Sequence, residues 1–151
     1  MSLPVSIDSD WLPIVVCGLA AGWDLYKREI PDALSVVLVL ATCTKVIGTD
    51  NTVWWNHLIG GLLGLLMGML VGQRDRFGGG DVKLFASLTM WFGLFAIVPL
   101  ALWIALAGLP LSLLALMRKQ RDLAYAPAIL AGVCLHVWQP DLLHRIAGLQ
   151  M

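Results

Sequence analysis

Charged residues are scarce in this sequence, and their scarcity excludes most classes of soluble protein. Only 13% of the 151 residues are Asp, Glu, Lys or Arg, whereas a soluble domain carries about 25%. Hydrophobic residues make up 59% of the chain, and its mean hydropathy is +0.82. The formal net charge is zero and no long run of like charge occurs, so the composition gives no basis for binding nucleic acid. The sequence therefore predicts a membrane protein in contact with lipid.

Clusters of metal-ligating or cofactor-binding residues are also absent. Cys17, Cys43 and Cys134 are far apart in apolar stretches, without a CxxC pair or a Cys/His cluster. The sequence contains no GxxxxGK[ST], GxGxxG, GxSxG or HExxH motif. We therefore predict no metal site and no cofactor, and we expect chelators to leave the protein's activity intact. The first ten residues, MSLPVSIDSD, lack a basic n-region, so we expect no cleaved signal peptide.

The apolar stretches predict about six transmembrane helices. A spanning helix needs about 20 mostly apolar residues. The stretch 84–117 carries no charge and is too long for one helix, so we predict two spans that divide near Pro99. The predicted helices cover Trp11–Trp23 with a turn at either end, Ile30–Ile47, Asn51–Gln73, Val82–Val98, Leu100–Met117 and Leu123–Trp138. No repeat or linker is visible, which predicts one all-α domain over residues 1–151, a polytopic membrane helix bundle.

The distribution of basic residues predicts the orientation of this bundle. With the N-terminus outside, most basic residues fall in cytoplasmic loops, as the positive-inside rule requires. The cytoplasmic residues are then Lys27, Arg28, Arg74, Arg76, Lys83, Arg118, Lys119 and Arg121. Lys45 and Arg145 remain outside. A five-helix arrangement would move the cluster at 118–121 to the outside, so the charges support dividing the long apolar stretch in two.

Two carboxylates fall on the cytoplasmic side in this topology. Asp24 lies at the inner end of the first helix and Asp81 at the start of the fourth. Each alone has a simple structural explanation, since Asp24 could pair with Lys27 or Arg28 and Asp81 could cap its helix. Together they could share one proton and serve as general base and general acid in amide hydrolysis. We therefore expect the two carboxyl groups to face one cavity.

Three glycines directly precede the second of these carboxylates. Gly78, Gly79 and Gly80 have no side chains and tolerate positive φ, so this segment can turn sharply. It would also let an extended substrate backbone approach Asp81 closely. His57 and His136 lie in apolar helices remote from both aspartates, and we interpret them as packing or interface residues.

Three motifs resemble those of the type IV prepilin peptidases, which are GxGD membrane aspartic peptidases. The segment GGGD at 78–81 matches the GxGD signature, and WDLYKREIP at 23–31 resembles the region of the other catalytic aspartate. The segment AYAPAI at 124–129 resembles the PYAPAI stretch of the short CpaA/TadV branch, which serves Flp-type pili. The motifs follow the family's order over most of the chain. Asp32 stands where Asn is common, and Ala124 stands where Pro is common.

The resemblance implies an aspartic endopeptidase of the cytoplasmic membrane. Its substrates would be Flp-type prepilins and related pseudopilins, cleaved behind their leader peptides at the inner membrane face. Asp24 and Asp81 would be the catalytic pair, and Gly78, Gly79 and Gly80 would shape the loop. The role of Lys83 stays open between a structural anchor and a substrate contact.

The chain has no room for the N-terminal region that the longer members use for N-methylation, so we expect a peptidase without methyltransferase activity. Two alternatives come from other functional classes. A proton-coupled transporter subunit could use the two acids as a relay, but it would place them near the bilayer midplane. A secretion scaffold could keep the fold without catalysis, yet both aspartates are present. The sequence does not indicate the oligomeric state.

Overall fold

The computed structural model describes residues 11–48, 54–72, 79–117 and 125–138. Within these ranges the chain forms six α-helices and no strand, which confirms the predicted all-α class. The helices are α1 (Trp11–Lys27), α2 (Asp32–Ile47), α3 (Trp54–Gly72), α4 (Gly79–Phe92), α5 (Ile97–Met117) and α6 (Ala126–Trp138). A short 3₁₀ turn over Leu94–Ala96 joins α4 to α5.

The surface of the bundle is that of a membrane protein. Large apolar side chains point outward from several helices, including Leu19 of α1, Leu66 of α3 and Leu109 of α5. Exposed apolar surface on this scale marks a contact with lipid or another apolar partner. Among the described residues, the stretches 54–71 and 94–113 are each long and apolar enough to cross a membrane. The helices α1, α2, α4 and α6 are shorter, with 13 to 17 residues.

The long apolar stretch divides at Gly93 and not near Pro99. Gly93 has a φ of +90°, a conformation that favours glycine, and it directly follows α4. Pro99 instead lies in the first turn of α5. A backbone N–H in the first turn has no intrahelical acceptor, so the absence of an N–H in proline costs no hydrogen bond there. The prediction of two helices was therefore correct, whereas the predicted position of the break was wrong. Proline is compatible with the start of a helix, so it did not mark the boundary.

Glycines allow α3 and α4 to pack closely. Gly60, Gly64 and Gly68 recur every four residues along one face of α3 and contact α4. A Cβ at Gly60 would lie 2.7 Å from the carbonyl oxygen of Thr89, and one at Gly68 would lie 2.8 Å from Cγ1 of Val82. Small residues at this spacing are typical of close helix contacts in membranes, where apolar burial alone gives no driving force.

Two polar contacts show that α2 and α4 run parallel. Near the start of both helices, Lys83 Nζ lies 2.6 Å from Asp32 Oδ2. Near their ends, Lys45 Nζ lies 4.5 Å from the ring centroid of Trp91. We call the end with the first contact the aspartate end, formed by the C-terminus of α1 and the first turns of α2, α4 and α6. The opposite end, formed by the first turn of α3 and residues 90–94, is the far end.

Candidate functional site

Asp24 lies in the last turn of α1 with a buried side chain, only 7% exposed. The helix ends at Lys27, and Arg28 adopts a left-handed conformation (φ 55°) while its N–H donates to the Asp24 carbonyl oxygen over 2.9 Å. The Asp24 carboxylate oxygen Oδ2 accepts a hydrogen bond of 3.1 Å from the backbone N–H of Ala126. Because Ala126 is the first residue of α6, its N–H has no intrahelical acceptor, and a carboxylate there is favoured.

Asp81 lies in the first turn of α4 and is 9% exposed. Its side chain lines a cavity of about 260 Å³ between α3, α4, α5 and α6. The other lining side chains are mostly apolar and include Val71, Val82, Phe85, Ile104 and Ile129. An ionisable group in such surroundings needs a nearby polar group, because desolvation strongly disfavours its charged form.

Tyr125 supplies a polar group to this cavity. It lies directly before α6, is partly buried and lines the same cavity as Asp81. Burial, and then the charge of Asp81, raise the pKa of the Tyr125 hydroxyl above its usual value. Tyr125 and Ala126 are consecutive, so one short segment approaches both aspartates. We call these two residues the 125–126 segment.

The helices that carry the two aspartates are connected through other elements. α1 packs mainly against α6 and also contacts α2, while α4 packs mainly against α3 and α2. Asp24, in the last turn of α1, and Asp81, in the first turn of α4, both lie at the aspartate end. Asp81 lines the cavity, whereas the Asp24 carboxylate accepts a hydrogen bond from the Ala126 amide beside Tyr125. The expectation that both carboxyl groups face one cavity therefore stays a prediction.

The glycines before Asp81 belong partly to α4. Gly79 and Gly80 are its first residues, and Gly78 lies outside the described residues. A Cβ at Gly80 would lie 2.8 Å from Cβ of Ile30, whereas a Cβ at Gly79 would meet no atom within 4 Å. Gly80 thus lets the start of α4 pack against the loop between α1 and α2.

Lys83, His57 and His136 have contacts that fit structural roles. The 2.6 Å ion pair of Lys83 with Asp32 joins the GGGDVK segment to the Ile-Pro-Asp segment at an exposed position. His57 lies with Nδ1 2.8 Å from the carbonyl oxygen of Met90. The His136 ring meets Phe92 edge-on, with centroids 5.0 Å apart. In the described part of the chain, no group of three His, Cys, Asp or Glu residues could hold a metal ion.

Tyr125 and Ala126 have no role that the sequence alone predicts. Both lie in the AYAPAI segment, and the signal available was Pro127, which is typical of the first turn of a helix. A helix start at this point leaves the amide of Ala126 available to an acceptor. The sequence does not reveal that this acceptor is 102 positions away along the chain.

The fold and the site together define a class: an all-α membrane helix bundle with two buried carboxylates at one end. The sequence profile of the type IV leader peptidase family matches residues 11–113. The chain belongs to this family. It is also 32% identical, over 148 residues, to a prepilin leader peptidase/N-methyltransferase of Xanthomonas campestris pv. campestris. That alignment covers 92% of this chain and 45% of the relative, so the chain spans about half of the relative's length. No solved structure matches the chain significantly.

Proposed function

We propose that this protein is a membrane aspartic endopeptidase that removes leader peptides from prepilins. The observation that carries the proposal is the placement of Asp24 and Asp81, which are both buried, at the same end of the bundle and next to the 125–126 segment. Membership of the type IV leader peptidase family supports the same reaction. Residues 1–151 would act as one transmembrane peptidase domain.

In the proposed mechanism, the two carboxyl groups share one proton. The ionised carboxylate takes a proton from water while the water oxygen bonds to the carbonyl carbon of the scissile peptide. The protonated carboxyl donates its proton to the carbonyl oxygen, which yields a tetrahedral diol. When the diol collapses, the carboxylate that gave up its proton takes one from a diol hydroxyl, the C–N bond breaks, and the other carboxyl group protonates the nitrogen. A free acid and a free amine are released, and the pair again holds one proton.

The aspartate end would lie at the cytoplasmic face of the inner membrane, with the N-terminus outside. Lys27 and Lys83 lie at this end, and Lys45 lies near the end of α2 that points away from it. The bias of the remaining basic residues in the sequence agrees with this orientation. Carboxylates at one end of the bundle suit a substrate cleaved at the membrane surface better than a proton path through the midplane.

The proposed substrates are Flp-type prepilins and related pseudopilins. Support comes from the AYAPAI segment, which resembles the short CpaA/TadV branch of the family. Two contacts of this segment also support the proposal, because the Ala126 N–H donates to Asp24 and Tyr125 lines the cavity of Asp81.

Co-expression with an Flp-type prepilin tests the proposal. We expect a shortened product whose N-terminal sequence begins directly after the leader peptide, in membranes that contain this protein and not in control membranes. A type IVa prepilin in a parallel culture tests the substrate preference. Failure to process either prepilin, despite normal accumulation of the protein, would contradict the proposed activity. Processing of the type IVa prepilin alone would contradict only the Flp-type preference.

A further inference from the structure

The Tyr125 hydroxyl packs against α5 at a glycine, where no side chain fills the space. The glycine at position 108 of α5 faces the tyrosine, and a Cβ there would lie 2.6 Å from the hydroxyl oxygen and 3.0 Å from Cζ. A side chain at position 108 would therefore displace the hydroxyl. The packing of α5 fixes where this polar group sits within a cavity that is otherwise mostly apolar.

The hydroxyl is suited to contact a carboxyl group that changes protonation state. It lines the cavity together with Asp81, and the charge of Asp81 acts on it. The Tyr125 hydroxyl is neutral at physiological pH, as tyrosine hydroxyls ordinarily are, and burial raises its pKa further. A neutral hydroxyl both donates and accepts hydrogen bonds, so it can hold a carboxylate or a carboxylic acid equally well.

Ala126, which follows Tyr125, binds the other aspartate, Asp24. The N–H of Ala126 donates to Asp24 Oδ2, and the carbonyl oxygen of Tyr125 accepts from Ala128 N over 2.9 Å in the first turn of α6. The backbone of the 125–126 segment is thus fixed by the helix. One of these two consecutive residues therefore bonds Asp24, and the other lines the cavity of Asp81.

We propose that Tyr125 is a positioning residue, whose hydroxyl holds the Asp81 carboxyl at the spacing from Asp24 that hydrolysis requires. This inference rests on the proposed peptidase function. Tyr125 acts through Asp81 and takes no part in bond making or breaking. Its loss should therefore lower the rate of the chemical step more than it weakens substrate binding.

Tyr125→Phe removes the hydroxyl and keeps the ring. With purified protein and a prepilin substrate, we expect kcat to fall about tenfold to hundredfold, as for loss of a hydrogen bond that orients a reacting group, with KM changed less than about threefold. The matched control is Tyr26→Phe, since Tyr26 is 86% exposed at the same end of the bundle. It should keep wild-type kcat. A Tyr125→Phe variant with wild-type kcat would overturn the proposal.

Gly108→Ala tests whether the position of the hydroxyl matters. The added methyl group collides with the hydroxyl, so kcat should fall while KM changes little. In the double variant Gly108→Ala/Tyr125→Phe, the two losses should be clearly less than multiplicative, because both act on one group. Gly18→Ala is the control, since a Cβ there meets no atom within 4 Å. Fully multiplicative losses would show that Gly108→Ala acts through general packing and would contradict the positioning role.

A spectroscopic titration separates this inference from the peptidase function. Fluorotyrosine incorporated at both tyrosines reports their ionisation by ¹⁹F NMR, and Tyr125→Phe assigns the signals. Asp81→Asn should lower the titration midpoint of Tyr125 and leave that of Tyr26 unchanged, because it removes a nearby negative charge. An unchanged Tyr125 midpoint would overturn the contact with Asp81, whatever the activity. If the wild-type protein cleaves no prepilin while the midpoint moves, the proposed function fails and the contact stands.

Discussion

The two ends of the bundle use polar side chains in different ways. At the far end, Asn56 Oδ1 accepts from the N–H of Leu94 over 3.1 Å, and His57 bonds the carbonyl oxygen of Met90. These contacts satisfy backbone groups where α4 ends and the chain turns at Gly93. At the aspartate end, the buried Asp24 carboxylate accepts a hydrogen bond from the start of α6, and the buried Asp81 lines a cavity.

The polar groups at the far end therefore stabilise the fold, whereas those at the aspartate end are candidates for catalysis. A side-chain amide that pairs with an orphan backbone N–H contributes to stability and leaves no room for a ligand. A buried carboxylate next to a mostly apolar cavity is unfavourable for stability and is kept where it has a function. We therefore expect substitutions at the aspartate end to reduce activity, and substitutions at the far end to reduce stability.

The largest effect is expected from Asp24→Asn and Asp81→Asn. Each keeps the shape of the side chain but cannot exchange the proton, so prepilin processing should fall at least about 1,000-fold. Accumulation in the membrane should stay nearly unchanged. Because the pair acts as a unit, the double variant should be no worse than either single one. Processing is measured by gel shift in membranes of matched expression, and substantial cleavage by either single variant would mean that the wrong carboxylates are assigned.

A large loss of stability is expected from Gly60→Ala at the far end. The new Cβ would lie 2.7 Å from the Thr89 carbonyl oxygen and 2.9 Å from backbone atoms of Gly93 and Leu94, which cannot move aside as a side chain could. Overpacking of this kind destabilises by about 1–3 kcal/mol. Thermal unfolding in detergent should show a lowered midpoint, while Gly18→Ala should not. An unchanged midpoint for Gly60→Ala would argue against the close contact of α3 with α4.

Asn56→Ala should reduce stability by a smaller amount. It leaves the Leu94 N–H without its acceptor, which destabilises by about 1–2 kcal/mol. Asn56→Asp keeps an acceptor oxygen and should recover most of the loss. Both variants should process prepilin at a wild-type rate per folded molecule. If either variant is stable but processes prepilin more slowly than wild type, the far end also contributes to activity, and the proposed difference between the two ends is wrong.

The smallest effect is expected from Asp32→Asn, although Asp32 lies at the aspartate end. Its pair with Lys83 is exposed, with 64% and 52% of the two side chains accessible, and such pairs contribute less than about 1 kcal/mol. Processing should therefore stay within about threefold of wild type. This variant is also the matched control for the two catalytic candidates. Complete loss of processing with normal accumulation would show that the pair holds the site together.

Much of the fold was predictable because it depends on local composition. The lengths of the apolar stretches predict six helices. Because successive helices alternate in direction, the sequence also predicts that Asp24 and Asp81 lie at the same end. The break at Gly93 was missed because both glycine and proline are compatible with a turn, and only backbone geometry distinguishes them. The proposed role of Tyr125 depends on its packing against Gly108 of α5 and on the cavity that it lines with Asp81, which no periodicity within its own segment could indicate.

The sequence indicates only part of the contact between α3 and α4. Gly60, Gly64 and Gly68 stand four residues apart in the sequence, and this spacing alone indicates a close helix contact. The partner helix could not be inferred from the spacing. That information came from the structure, where all three glycines face α4.

The hydrogen bond between Ala126 and Asp24 links the order of synthesis to the formation of the site. Its partners are 102 positions apart, so Asp24 leaves the ribosome long before the residue that holds it is made. Chains emerge N-terminus first at about 5–20 residues per second, and each helix can enter the membrane as it appears. A nascent chain that has inserted α1 to α5 still lacks this contact. The Asp24 carboxylate would therefore gain its hydrogen-bond partner only once α6 has entered the membrane.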